Sequence, residues 1–344
     1  MQSLRMQTYI ARRLLLLIPV LIGVSIFVFT LTRLTGNPAA AYITERMSED
    51  QVERIKERLH LDEPVYIQYG YWLNDVLHGD WGISRTDGNR PVTESIKDYL
   101  PATFELALVS IFIAIFVGIA LGTVSAVRRD SAVDHGTRVM ALSGVSLPVF
   151  VLALLLQFIF YYHLGWFPAD SRYSMEYLAT DARITNYTNF YLVDTLLNGK
   201  VDMFIDVLWH LTLPAVTLSF ASIAIITRMM RSSMLEVLGQ DYIKTARSKG
   251  LPERTVIRKH ARKNAMIPTT TIIGLAFGAL LAGAVLTESI FSWPGLGRWS
   301  VRALLSNDWA SIMGFTMVVA IVYVLANLIV DLMYAYLDPR VRLE

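Results

Sequence analysis

The sequence of 344 residues contains no cysteine, which excludes a disulfide framework, thiolate metal ligands and a cysteine nucleophile and leaves the redox compartment open. Charge is scarce as well: Asp, Glu, Lys and Arg make up 17% of the chain, against about 25% in an ordinary soluble domain, while 54% is hydrophobic. No G-x-x-x-x-G-K-[ST] segment occurs, and Gly295 and Gly297 follow Trp293-Pro294 instead of opening a strand-to-helix turn, so the chain has no P-loop for ATP. The histidines at 60, 78, 135, 163, 210 and 260 lack H-x₃-H spacing, which speaks against a metal site on one helix. With no nucleophile elbow and no paired carboxylates on one helix face, an enzyme active site has no support. A formal net charge of +2 gives no basis for nucleic-acid binding.

What the chain does have is long charge-free runs. They cover 14–32, 106–127, 139–169, 207–227, 265–287 and 309–330, with 19, 22, 31, 21, 23 and 22 residues. A helix of about 20 apolar residues crosses a hydrocarbon core of ~30 Å, because every backbone N–H and C=O is satisfied within the segment. The expectation is an all-α polytopic membrane protein with six transmembrane helices. Arg12, Arg13, Arg128, Arg129, Arg228, Arg231, Arg340 and Arg342 flank the runs on one side, which places both termini in the cytoplasm. Segments on that side carry 18 basic and 7 acidic residues, and those on the other side 13 and 20. A cleaved leader is disfavoured, since the first run exceeds the usual h-region of about 7–15 residues.

The expected divisions are an N-terminal segment with the first helix at 1–35, an external insertion at 36–100, a five-helix core at 101–337 and a tail at 338–344. In the insertion, Ser48 and Gln51 form a capping box ahead of Val52, Ile55 and Leu59 on one helical face, and Pro64 ends that helix. Tyr66, Tyr69, Tyr71, Trp72 and Trp81 then suit an interfacial layer or a small core, before a turn at Asp87-Gly88-Asn89. Segment 164–206 lacks a sustained apolar face and reads as an external loop or small lid.

Segment 228–264 holds ten basic and three acidic residues in a chain short of charge. Asp241 is placed to cap a short helix through Lys249, with Gly250 as its left-handed terminator and Pro252 in the first turn of the next helix. By itself this reads as a basic loop against anionic lipid.

The block Ser233-Met234-Leu235-Glu236-Val237-Leu238, Asp241-Tyr242-Ile243-Lys244-Thr245-Ala246-Arg247-Ser248-Lys249-Gly250-Leu251 and His260-Ala261-Arg262-Lys263-Asn264-Ala265-Met266-Ile267-Pro268 resembles the EAA loop of peptide permeases in ABC-type importers. Further matches are Thr287-Glu288-Ser289-Ile290-Phe291-Ser292-Trp293-Pro294-Gly295-Leu296-Gly297, Asn327-Leu328-Ile329-Val330-Asp331 and Asp338-Pro339-Arg340, and the resemblance to the first permease of dipeptide and oligopeptide systems covers nearly the whole chain. Three departures stand out: Lys244 and Thr245 replace the start of the EAA motif, Gly36-Asn37-Pro38 replaces Gly-Asp-Pro, and His60-Leu61-Asp62-Glu63-Pro64 replaces Gly-Leu-Asp-x-Pro.

The resemblance implies the type I importer fold in a prokaryotic plasma membrane and a non-catalytic subunit that binds no cofactor itself. It implies a second homologous permease, two cytoplasmic ATP-binding subunits carrying ATP and magnesium, and an external substrate-binding protein. Asp241, Tyr242, Thr245, Ala246, Arg247, Lys249, Gly250 and Leu251, within a coupling segment 228–266, would dock on an ATPase subunit. Peptides are the implied cargo, with oligosaccharides or chelated nickel as alternatives in the same architecture. An ion-coupled secondary transporter would need an inverted repeat or broken helices with ionisable residues at mid-membrane, and neither is evident.

The candidates among the polar residues of the runs are Gln157, His210, Asn327 and, at the last run's edge, Asp331. They either line a translocation path or hydrogen-bond between helices, the second being the commoner use. Gly274, Gly278 and Gly283 with Ala276, Ala279 and Ala282 give the fifth run a small face for close packing, within the chain or against the second permease. Pro19, Pro148 and Pro214 are candidate kinks.

Overall fold

A computed structural model describes residues 2–35, 39, 43, 47–58, 60–179 and 184–337. Leu59, the Gly36-Asn37-Pro38 tripeptide and Asp338-Pro339-Arg340 lie outside the described residues. The chain is mostly helical. Helix α1 (Gln2–Thr35) is followed by α2 (Glu49–Arg58), α3 (Val65–Leu77), a hairpin of β1 (Ile83–Ser84) and β2 (Arg90–Pro91), and α4 (Val92–Val127). Next come α5 (Ala132–Ser146), α6 (Val149–Leu156) with a π-helical continuation to His163, α7 (Glu176–Ala179), α8 (Tyr191–Leu197) and α9 (Val201–Leu238). The last third holds α10 (Asp241–Ser248), α11 (Glu253–Thr255) with a π turn to Ala261, α12 (Arg262–Ile290), α13 (Leu296–Leu305) and α14 (Trp309–Leu337).

Among the described residues, four segments are long and apolar enough to cross a membrane as single helices: Leu15–Leu34, Val92–Val127, Val201–Leu238 and Trp309–Ile329. The expected third span is not one helix. It breaks at Leu147-Pro148 into two pieces inclined by 112°, because Pro148 has no N–H to continue the ladder and holds its predecessor extended. The fifth is bent by 51° between Leu280 and Ala284, so six spans result only if each bent pair counts as one. Neither break carries an ionisable residue, which keeps it unlike the ion sites of broken-helix transporters. Helix α9, by contrast, runs through Pro214 without interruption.

Helix α9 is the central post. Leu211, Leu218, Ile223 and Ile226 on it meet Leu106 and Ile111 of α4, Ala276, Leu280 and Ala284 of α12, and Trp293. Glycine decides how closely its neighbours come. A Cβ on Gly118 would lie 2.7 Å from Ile226 Cγ2, and one on Gly122 would lie 2.7 Å from both Met230 Cβ and the Thr227 carbonyl oxygen. On α5, a Cβ at Gly144 would stand 2.6 Å from Ala224 Cβ. These approaches bring α4 and α5 against α9, whereas Gly278 of the fifth run faces Tyr323 of α14 at ordinary distance.

Local expectations in the insertion hold with adjustments. The Ser48 N–H donates to Gln51 Oε1 at 3.0 Å, one half of a capping box, and α2 follows. Pro64 stands at the start of α3 instead of at the end of α2, and α3 carries Tyr66, Tyr69, Tyr71 and Trp72. Tyr69 and Trp72 pack against Phe29 of α1 at 5.4 Å each, so these rings form a small core on α1. Gly88 and Asn89, both with positive φ, turn the hairpin. Asp308 fastens that hairpin to α14: its carboxylate accepts from Ser84 Oγ, the Thr86 N–H and Ser311 Oγ at 3.1, 3.0 and 2.7 Å. Within segment 164–206 the described residues include α7, α8 and the first turn of α9.

Replacing Gly122 with leucine should force α4 and α9 apart and destabilise the bundle by about 1–3 kcal/mol or more. A fall in the thermal unfolding midpoint of the detergent-solubilised chain would register it, and an unchanged midpoint would refute the close packing.

Candidate functional site

Helix α10 is built with two faces. Ile243 is fully buried and Ala246 nearly so, in a cluster with Met230 and Met234 of α9, Val256 and Ala261 of the π turn, and Ala265 of α12. Asp241, Tyr242, Thr245, Lys249 and Gly250 face outward, and Leu251 lies on the same exposed surface. Asp241 is the first helical residue and not the cap, which is Gln240 without a side-chain bond; its carboxylate accepts from Lys244 Nζ at 2.8 Å. At the other end, Gly250 has φ +72°. Its N–H donates to Arg247 O at 2.9 Å and that of Leu251 to Ala246 O at 3.4 Å, the paired bonds of a Schellman termination.

Two side-chain contacts stiffen this corner. Arg247 spans it to Glu253 (2.7 Å), whose carboxylate raises the guanidinium above its usual range. Asn264 of α12 donates to the Tyr242 hydroxyl at 3.0 Å. Thr245 Oγ1 bonds back to Asp241 O at 3.0 Å. The result is a rigid prong whose buried side touches both α9 and α12.

The four candidate path residues are not brought together by any described hydrogen bond. Gln157 Nε2 donates to the carbonyls of Ala169 and Ile290 at 3.0 and 3.2 Å, tying the π-helical segment to the end of α12. His210 is 7% exposed, with Nδ1 2.9 Å from the Asp206 carbonyl in its own helix. Asn327 is half-buried on α14, and the side chain of Asp331 lies outside the described residues.

Sequence reasoning missed the buried charges. Glu105 sits one turn beyond Pro101 in α4, side chain 2% exposed, and pairs with Arg172, itself 5% exposed. Arg172 also stacks on Tyr191 at 3.8 Å, while Glu105 accepts the Leu192 N–H at 2.7 Å. Burial, with Tyr173 alongside, pushes the Tyr191 phenol up. The Lys97 carbonyl, left without its helical donor by Pro101, accepts Asn189 Nδ2 at 3.4 Å. Arg172 and residues 189–192 are thereby fastened to α4.

The second buried acid, Glu288, takes Thr103 Oγ1 at 2.7 Å and the Arg298 N–H at 3.0 Å. Gly295 and Gly297 wrap it: a Cβ on either would run into its carboxylate. The Thr287-Glu288 to Gly297 motif is thus a carboxylate with the glycines that make room for it. The third, Asp134, is fully buried, takes Arg231 in a two-point bond at 2.7 Å each and also accepts from Ser125 Oγ and the Asp130 N–H. An acid flanked by apolar residues, as at Glu105, was the available signal.

Among known proteins, the model of the family described as "Binding-protein-dependent transport system inner membrane component" matches residues 118–343, and that of the N-terminal part of such components matches 6–107. The chain belongs to this family. It is a multi-pass membrane permease component and not an enzyme. The permease is 46% identical to the dipeptide transport system permease protein DppB of Alkalihalophilus pseudofirmus, over 98% of its length and 100% of the relative's. To DppB of Escherichia coli it is 42% identical, covering 98% and 99%, and to the oligopeptide transport system permease protein AppB of Bacillus subtilis 37%, covering 98% and 100%.

Breaking the Glu105–Arg172 pair in the permease by Arg172→Met should cost about 3–5 kcal/mol, because it strands a buried carboxylate, whereas Glu105→Leu with Arg172→Met should recover most of the loss. Denaturation midpoints of the three proteins decide this. Equal loss in the single and double variants would mean that the pair acts through packing alone.

Proposed function

We propose that this permease forms one half of the translocation path of an ATP-driven importer for dipeptides or short oligopeptides. It pairs with a second homologous permease in a prokaryotic plasma membrane and receives cargo from an external binding protein. Two ATPase subunits, which carry the ATP and magnesium, drive it from the cytoplasm. Helix α10 is the coupling element. The observation that carries this reading is its two-faced construction: an exposed polar and aromatic surface free to meet a partner, over a buried foot wedged between α9 and α12.

The physical consequence follows from that placement. A displacement of the partner pushes on Tyr242, Thr245 and Lys249, and close-packed Ile243 and Ala246 pass it to Met230, Met234 and Ala265 without slack. Arg247 and Lys249 suit an acidic rim on the ATPase. The full-length likeness to peptide permeases supports the cargo class.

Gly250→Val places a β-branched residue in the left-handed region, at a cost of about 1–2 kcal/mol, and should unseat the prong. The expected result is loss of ATP-dependent uptake and of co-purification with the ATPase subunits while the membrane bundle keeps its unfolding midpoint; intact uptake would overturn the coupling role. For cargo, uptake into proteoliposomes of the assembled importer should be seen with labelled dipeptides, and transport of only an oligosaccharide or a nickel chelate would reject the peptide assignment.

A further inference from the structure

Between α5 and α9, beside the Asp134–Arg231 clamp, lies an open groove of about 570 Å³. Its basic end carries His135, Arg138 and Arg228, all exposed, and no acidic residue lines it. The carboxylate of Asp134, next to the lining residue His135, is consumed by Arg231, Ser125 and the Asp130 N–H. Among the described residues neither Arg138 nor Arg228 has an ion-pair or hydrogen-bond partner. The Thr227 hydroxyl in the same lining is buried and lacks a hydrogen-bond partner, which is costly for a polar atom away from water. Next to these groups α5 exposes an apolar stripe at helical spacing, with Val139 64% and Leu142 69% exposed.

We infer that this groove binds an anionic phospholipid. The phosphate lies between Arg138 and Arg228, and an acyl chain runs along Val139 and Leu142. Charge complementarity selects the occupant: two unpaired guanidiniums attract an anion, and a guanidinium fork fits a phosphate well. The adjoining stripe demands a ligand that is apolar for the rest of its length. A zwitterionic lipid satisfies the stripe but brings its own cation to the arginines, and a soluble anion leaves the stripe bare. Basic grooves between helices at one membrane face are a general means of holding anionic headgroups. The site depends only on the chain's being a membrane protein, so it stands or falls apart from the transport reading.

The test uses the purified full chain in nanodiscs of mixed composition, with phosphatidylglycerol and phosphatidylcholine of identical acyl chains, and native mass spectrometry to count retained lipids. The wild-type chain should retain phosphatidylglycerol in preference, and Arg138→Gln and Arg228→Gln should each reduce that preference roughly fivefold. Equal retention of the two lipids by the wild type would overturn the proposal whatever the variants do, as would variants that keep the preference. A photo-crosslinking residue in place of Val139 should capture lipid in the assembled transporter. Capture of polypeptide there instead, or displacement of phosphatidylglycerol by a soluble dipeptide, would reassign the groove and also overturn it.

Discussion

Backbone contact between α4 and α9 at Gly118 and Gly122 sets the spacing of this bundle. In lipid there is no hydrophobic drive to press one apolar helix on another, so close packing and the dispersion contacts it allows have to do that work. Because nothing wider than a hydrogen fits between Gly122 and Met230, α9 becomes a post on which α4, α5, α6 and α12 are all hung. Gly144 against Ala224 repeats the device for α5.

On that frame the acids act as cross-links. Glu105 joins α4 to Arg172 and α8, Asp134 joins the α4–α5 turn to α9, Glu288 joins α12 to α4 and the start of α13, and Asp308 joins α14 to the hairpin. Each has most of its oxygen valence filled, as a carboxylate withdrawn from water requires. They sit at the ends of the bundle, where they hold connecting segments to the helices, while mid-bundle contacts are apolar or small. The coupling prong contrasts with this pattern: its ion pairs are exposed, and its attachment is hydrophobic. Such a joint keeps its contacts while its surface groups remain free for a partner.

Much of the architecture was legible in the sequence. The helical runs, the capping box, the hairpin turn and the left-handed Gly250 corner are written locally, in hydropathy over about 20 residues or in one residue's φ preference. The break at Pro148 was visible as a proline, though not its 112° angle, which depends on what α5 and α6 pack against. Gln157 and His210 stood out as polar groups in apolar runs, but which carbonyls they meet, those of Ala169 and Ile290 for Gln157 and of Asp206 for His210, depends on how the helices pack.

By itself the sequence determined that the chain is a helical membrane protein, where its long apolar runs lie, and where a basic segment turns through Gly250, because solvent exclusion and backbone sterics act on consecutive residues. Tertiary structure alone decided which glycines are contacts, which acids are buried and which arginines stay unpaired. Glu105 and Arg172 are 67 positions apart and Asp134 and Arg231 are 97 apart, and no local pattern records that these carboxylates have found their guanidiniums while, among the described residues, Arg138 and Arg228 have no such partner.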